Sequence, residues 1–229
     1  MNKKQLTAFT LFTMTISVGT IANANFYAGI SAGTTIPVID TQVTYPVGTT
    51  PLTSSQNKNA AFLGTAQLSL GYHHILNQRW GIDAVVNGEA NGGNIDSRIT
   101  NWFDGHDALV TTQLPNVLSL NLLATIQVAE NVAVFFGPGF ANAQFKATAG
   151  STGGSVGSSG NFSKNLNGVR FSVGTDFFIN KTWRIRASDA YTNYSSVTWS
   201  ATEPYSGQVV SSRYSPSSNT LLFGLIASF

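Results

Sequence analysis

The sequence predicts an all-β chain: eight antiparallel up-and-down strands closed into a transmembrane β-barrel. Three observations predict it. Only 10% of the residues are charged, against about 25% in ordinary domains. Beyond the first two dozen residues no apolar run reaches the roughly 20 residues that a membrane helix needs. Apolar and polar residues instead alternate with period two in eight segments. Strands that show every second side chain to lipid are the other way to cross a bilayer.

The chain opens on Met1-Asn2-Lys3-Lys4, runs through an apolar stretch diluted by Thr and Ser from Leu6 to Ile21, and reaches Ala22-Asn23-Ala24. A basic start, an apolar middle and an A-x-A end form a secretory signal peptide, residues 1–24, with cleavage read from Ala22 and Ala24. Residues 25–229 then form the barrel domain. Cleavage removes Lys3 and Lys4, so twelve Lys and Arg become ten, equal to the ten Asp and Glu. The mature chain is neutral and has no basic stripe, which excludes a nucleic-acid binder. Without cysteine it can form neither a disulfide framework nor a thiolate metal site.

The eight segments follow in order. Phe26, Ala28, Ile30 and Ala32 share one face of the first. The second turns Phe62, Ala66, Leu68, Leu70 and Tyr72 outward and Thr65, Gln67 and Ser69 inward. In the third, Trp80, Ile82, Ala84, Val86 and Ala90 oppose Asp83, Asn87 and Glu89. The fourth is the most regular, with Leu118, Leu120, Leu122, Ala124, Ile126 and Val128 against Ser119, Asn121, Thr125 and Gln127. The fifth sets Val132, Val134, Phe136 and Phe140 against Ala133, Gly137, Gly139 and Ala141. The sixth opposes Val169, Phe171, Val173 and Phe177 to Arg170, Ser172, Gly174 and Asp176. In the seventh, Trp183, Ile185, Ala187 and Tyr191 face away from Arg184, Arg186 and Ser188. Leu221, Phe223, Leu225, Ala227 and Phe229 form the eighth.

The links alternate in length. Polar stretches at 40–60, 92–116, 148–164 and 196–216 follow the odd segments, and short turns at 73–78, 129–131 and 179–181 follow the even ones. That rhythm belongs to an up-and-down barrel with long outer loops, tight periplasmic turns and both termini periplasmic. A secreted sandwich would not sort its loops this way. A lipocalin-like barrel would turn its apolar face inward. The Gly/Ser run at 150–160 lacks the Lys-Ser or Lys-Thr and the helix of a phosphate-binding loop, and reads as a flexible outer loop.

Six charges fall on the inward face: Asp83, Glu89, Arg170, Asp176, Arg184 and Arg186. An eight-stranded interior is just wide enough for side chains, so these groups must pair. They form either a salt-bridged plug or a narrow solute path. Tyr72, Trp80 and Trp183 flank short turns and serve as interface aromatics. Trp102, Phe103, Tyr194, Trp199, Tyr205 and Tyr214 fall in or near the outer loops, as partner contacts or as an outer girdle. His106, beside Asp104 and Asp107, is the single catalytic candidate, with no nucleophile singled out. His73 and His74 point to opposite faces of a strand and make a poor metal pair. No cofactor is expected.

The chain resembles the eight-stranded outer-membrane barrels that include the OmpA transmembrane domain and the opacity-like surface proteins. The most specific element is the ending: Leu221, Phe223, Gly224, Leu225, Ala227 and the terminal aromatic Phe229. In such barrels this strand is read by the barrel-assembly machinery. Ala227 is smaller than the usual residue there. The resemblance implies a Gram-negative outer-membrane location among lipid and lipopolysaccharide, a monomer, and no enzymatic activity. It carries no peptidoglycan-binding function, because the sequence stops at Phe229. Neither the patterns of barrel lipid-A enzymes nor those of barrel proteases are present. Three functions follow in order. A surface barrel would touch host, phage or neighbouring cells through four loops. A narrow passive channel would use the inward charges. A lipid-modifying enzyme would be built on His106.

Overall fold

The computed structural model describes residues 24–47, 50–103, 106–151, 160–202 and 209–229. Residues 1–23, with Ala22 of the expected signal peptide, lie outside the described residues, and β1 begins at Ala24. In chain order the strands are β1 (Ala24–Val47), β2 (Thr50–Ala60), β3 (Leu63–Ile75), β4 (Trp80–Gly92), β5 (Ile95–Phe103), β6 (His106–Gln113), β7 (Asn116–Ala129), β8 (Val132–Ser151), β9 (Gly160–Phe178), β10 (Trp183–Tyr194), β11 (Val197–Thr202) and β12 (Val209–Ser228).

Eight of them, β1, β3, β4, β7, β8, β9, β10 and β12, pair antiparallel in that order. β12 returns to β1 from Tyr27↔Ser228 to Thr44↔Ser211, which closes the wall. Closure leaves no edge in the membrane, where an unpaired backbone group has no water to turn to. These eight strands are the eight segments read from the sequence. Ile30, Leu68, Leu70, Leu118, Leu120 and Val169 stand exposed on the outside, while Gln67, Ser69, Asn87, Ser119 and Asn121 are buried within.

Two of the three short turns are built alike. Asn77 Oδ1 accepts from the backbone N–H groups of Arg79 (2.9 Å) and Trp80 (3.0 Å). Asn180 Oδ1 does the same for Thr182 (2.8 Å) and Trp183 (2.8 Å). An asparagine carbonyl that holds its own turn leaves the following residue free to start the next strand. The repeat Leu-Asn-x-x-Trp and Ile-Asn-x-x-Trp thus explains why a tryptophan opens both β4 and β10.

Among the described residues the long polar stretches are not loops. Their described residues continue the barrel as strands: β2 prolongs β3, β5 prolongs β4, β6 prolongs β7 and β11 prolongs β10. Beyond the barrel the wall parts into two four-stranded sheets, β2-β1-β12-β11 and β5-β6-β8-β9. No ladder joins β2 to β5 or β9 to β11 among the described residues.

The reason lies in the side-chain pattern. Period two persists in these extensions, but its polarity inverts. Ile39, Val43, Val110, Leu114, Phe145, Leu166, Val197 and Tyr214 are buried between the two sheets. Gln42, Gln113, Gln144, Asn165, Thr198 and Arg213 lie on the outside. A sheet in lipid is apolar outside; the same sheet carried into water is apolar inside.

Pro138 falls within β8 opposite Phe171, and the register to β9 runs unbroken past it. It therefore marks neither a bulge nor a strand end. Against β7 the ladder skips the positions of Pro138 and Gly137 without a change of register, and the register shifts between Gln127 and Ala129. Asp189 keeps its outward parity with no register shift, between Val173 and Leu221. It presents an exposed carboxylate on the apolar wall.

Candidate functional site: a braced lumen under an apolar crown

All six inward charges are buried, and the fold brings them together in two groups. Near the short-turn end, Arg186 forks onto Asp176, donating from Nε to Oδ1 and from Nη2 to Oδ2, both at 2.7 Å. The two residues are directly opposite on β9 and β10, the arrangement that suits a bidentate pair. Arg184 Nη1 reaches the same carboxylate at 3.3 Å. Asp83, arriving from β4, accepts from Thr125 Oγ1 at 2.8 Å and lies 4.0 Å from Arg186 Nη2. His73 Nδ1 sits 2.5 Å from Asp83 Oδ1 and is the partly exposed member.

Apolar surfaces hold this group in place. The Arg184 guanidinium lies 4.4 Å over the Tyr27 ring, and that of Arg186 lies 4.4 Å over Phe135. Each such contact contributes about 0.5–2 kcal/mol, the more when desolvated. Tyr27, Phe135, Val85, Leu123 and Ile226 form one small buried cluster. Gly71 and Gly174 make room for it, since a Cβ there would strike the Tyr27 and Phe135 rings respectively.

Deeper in the barrel, Glu89 from β4 meets Arg170 from β9 at 2.7 Å, with 1% and 3% of their side chains exposed. β7 and β8 separate those two strands in the wall, so this pair crosses the lumen. Gln67 Nε2 donates to Glu89 at 3.1 Å, and Ser69 donates to Gln67. Asn121, Ser119, Asn87 and Ser172 form a second relay. Thr35, Thr65, Thr220 and Asn91 form a third. Unpaired charge at this depth would cost several kcal/mol, and each of the six charges has an opposite partner. The Tyr27 hydroxyl, Arg170 Nε, Arg184 Nε and Nη2 and Thr192 Oγ1 are buried without a hydrogen-bond partner among the described residues.

Above these relays comes the apolar crown. Phe145 is fully buried, with its ring centroid 5.4 Å from that of Tyr214 and 6.3 Å from that of Phe162. Phe162 on β9 stacks on Trp199 on β11 at 6.1 Å and 21°. This stack bridges the seam that no ladder closes. Burial in the crown raises the Tyr214 hydroxyl's pKa above its ordinary value, against a smaller lowering by its hydrogen bond to Ser212.

Two expectations are corrected here. Tyr194 and Tyr214 are not loop contacts but buried crown residues, at 5% and 1% exposure. They alternate in phase with Arg186 and Thr220, and that parity was the available signal. Phe135 and Tyr27, which carry the guanidinium groups, were likewise readable as inward but were not singled out. Asp104 and Tyr205, and the side chains of Trp102, Phe103, His106 and Asp107, lie outside the described residues. No group of three or more metal-binding side chains occurs among the described residues.

At the short-turn end Trp80 and Trp183 are 44% and 42% exposed, and Tyr72 packs on Phe26 with ring centroids 5.1 Å apart. In the closing strand, Leu221, Phe223, Leu225 and Phe229 point outward. Gly224 lies opposite Ser31, where a Cβ would collide with its side chain and with the Ile30 carbonyl.

No curated protein matches the chain. Among solved structures it is similar to a major outer membrane protein from Thermus thermophilus. That likeness has 13% identity and a TM-score of 0.53, and covers 90% of this chain and 99% of that one. The outer membrane protease OmpT from Escherichia coli is 12% identical with a TM-score of 0.50, over 90% of this chain and 97% of that one. Ail, the attachment invasion locus protein of Yersinia pestis, is 15% identical with a TM-score of 0.37, over 89% and 98%. Likeness at these identities is one of fold. The family model described as outer membrane protein beta-barrel domain matches residues 8–229, and the chain belongs to that family, a β-barrel of the bacterial outer membrane.

Proposed function

We propose that this protein is a non-enzymatic surface barrel that displays its crown outside the cell. Its short turns, both termini and the cleaved end of residues 1–24 face the periplasm. The observation that carries the reading is the inverted polarity of the two crown sheets. A wall that is apolar outside over one stretch and apolar inside over the next matches a molecule that stands in lipid and rises into water. The crown is a packed, rigid base from which the links β1–β2, β5–β6, β8–β9 and β11–β12 reach partners.

Three further points support the reading. The lumen is braced by ion pairs and the crown above it is filled by aromatic and aliphatic side chains, which disfavours the alternative of a passive channel. Trp80, Trp183 and Tyr72 sit where an aromatic girdle would meet the inner headgroups. The last strand offers its outward Leu221, Phe223, Leu225 and Phe229 to the assembly machinery while it closes the barrel on β1. OmpT is a protease by name, and at 12% identity it lends a fold and no activity.

The test replaces residues 48–49, 104–105 and 203–208 with Gly/Ser of equal length and deletes 152–159, already a Gly/Ser run, in cells that display the protein. Binding to host matrix, to phage and to neighbouring cells is compared with cells carrying the intact chain. Loss of one binding with normal barrel insertion is the expected result. Binding that persists in full on every surface would overturn the proposal.

A further inference from the structure

A groove of about 660 Å³ runs along the outside of the barrel, within the roughly 300–1,000 Å³ of sites that hold small ligands. Leu68, Gly88 and Leu118 are on its floor, and Asn116, Asn142 and Gln144 are on its lip. The floor residues follow one another across the wall, with Leu68 opposite Gly88 and Gly88 opposite Leu118. At Gly88, and at Gly64 nearby on β3, an added Cβ would meet nothing within 4 Å. The wall is therefore hollow there for want of side chains and not because backbones approach each other. The lip lies where the outward face turns from apolar to amide.

We propose that this groove seats one outer-leaflet lipid with a saccharide headgroup, an acyl chain lying over Gly88 and the sugar held by the amides. The inference rests on the outward orientation of the crown proposed above. Three observations choose this occupant. The floor is continuous with the apolar band that the family already places against the bilayer, so whatever fills it comes from the membrane. The lip offers neutral amides, each a donor and an acceptor, which suit hydroxyls and acyl-amide groups better than a bare phosphate does. Asn142 donates through Nδ2 to Asn167 at 2.8 Å, and this fixes its carbonyl oxygen as an acceptor. Further up the same face of β8 stands Lys146, whose cation is available to a phosphate on the sugar.

The experiment uses the full mature chain refolded into phosphatidylcholine nanodiscs doped with either rough lipopolysaccharide or phosphatidylethanolamine. Retained lipid is identified by native mass spectrometry after delipidation, for the wild type and for Gly88→Leu. That substitution fills the groove, its Cβ meeting nothing within 4 Å, and Asn116→Ala serves as a second variant that leaves the floor intact. Expected results are selective retention of lipopolysaccharide by the wild type, loss in Gly88→Leu, weakening in Asn116→Ala, and an unchanged gel-mobility shift in all three. Retention that Gly88→Leu leaves intact overturns the site. Equal retention of phosphatidylethanolamine overturns the headgroup assignment. A wild-type dimer that Gly88→Leu dissociates would make a second copy of the chain the occupant and overturn the lipid. Nanodisc binding is independent of orientation. Labelling of a cysteine placed at Ser155 from outside intact cells therefore reports separately on the crown's direction.

Discussion

Arg170→Met isolates the claim that the lumen is dry. Arg170 and Glu89 meet at 2.7 Å with almost no exposed surface. Once the guanidinium is gone, the Glu89 carboxylate keeps, among the described residues, the neutral Gln67 amide at 3.1 Å. A buried pair broken on one side typically costs about 3–5 kcal/mol, because the remaining charge is stranded in low dielectric. Removing both charges strands neither. The double variant Glu89→Gln with Arg170→Met should equal the wild type or exceed it by about 1–4 kcal/mol. Both are measured by urea unfolding of the vesicle-inserted protein, followed by tryptophan fluorescence and compared at constant denaturant slope. If the single variant loses less than about 1 kcal/mol, the value of a water-screened pair, then water reaches Glu89 and the reasoning fails.

Three other substitutions test other levels of the account. Phe145→Ala empties the centre of the crown and should cost about 3–5 kcal/mol, read as faster protease nicking of the hairpin end while the barrel core survives. Slow nicking would mean that the crown does not pack as described. Gly33→Val places a side chain against the Leu221 backbone oxygen at the β1–β12 closure. It should abolish the mobility difference between boiled and unboiled samples, and a normal shift would contradict the closure. Asp189→Leu removes a carboxylate from the apolar wall and should stabilise the inserted protein by up to about 2 kcal/mol. A loss of stability would show that Asp189 meets a partner.

The barrel was legible because lipid imposes a rule on every outward side chain. Leu118 to Val128 follows that rule without exception, and the alternation of long and short links then orders the strands. The crown was not legible by the same rule. Once Gln42, Gln144 and Arg213 turn outward, the wall no longer looks like a membrane strand, and the stretches read as loops. The surviving clue was parity: Ile39, Phe145 and Tyr214 stay in phase with Tyr27, Ala141 and Thr220. The inward charges were legible for the same reason of phase, but their partners were not. Glu89 meets Arg170 across the lumen because of how the sheet curls, and no spacing in the chain records that. Pro138 and Asp189 depart from the residue pattern of the strands that hold them. Both are carried without a register shift, Pro138 because the β9 side of its strand stays paired while the β7 side skips it, and Asp189 because an exposed side chain does not disturb register.

The central claim is that ion pairs and an apolar crown close the lumen, so that the barrel acts through its surface. Single-channel recording of the refolded mature protein in a planar bilayer tests it most directly, with insertion verified by the gel shift. A silent bilayer for the wild type is the predicted result. Stable unitary steps that change in Arg184→Ala or Glu89→Ala would mean that the braced lumen conducts, and would contradict the account.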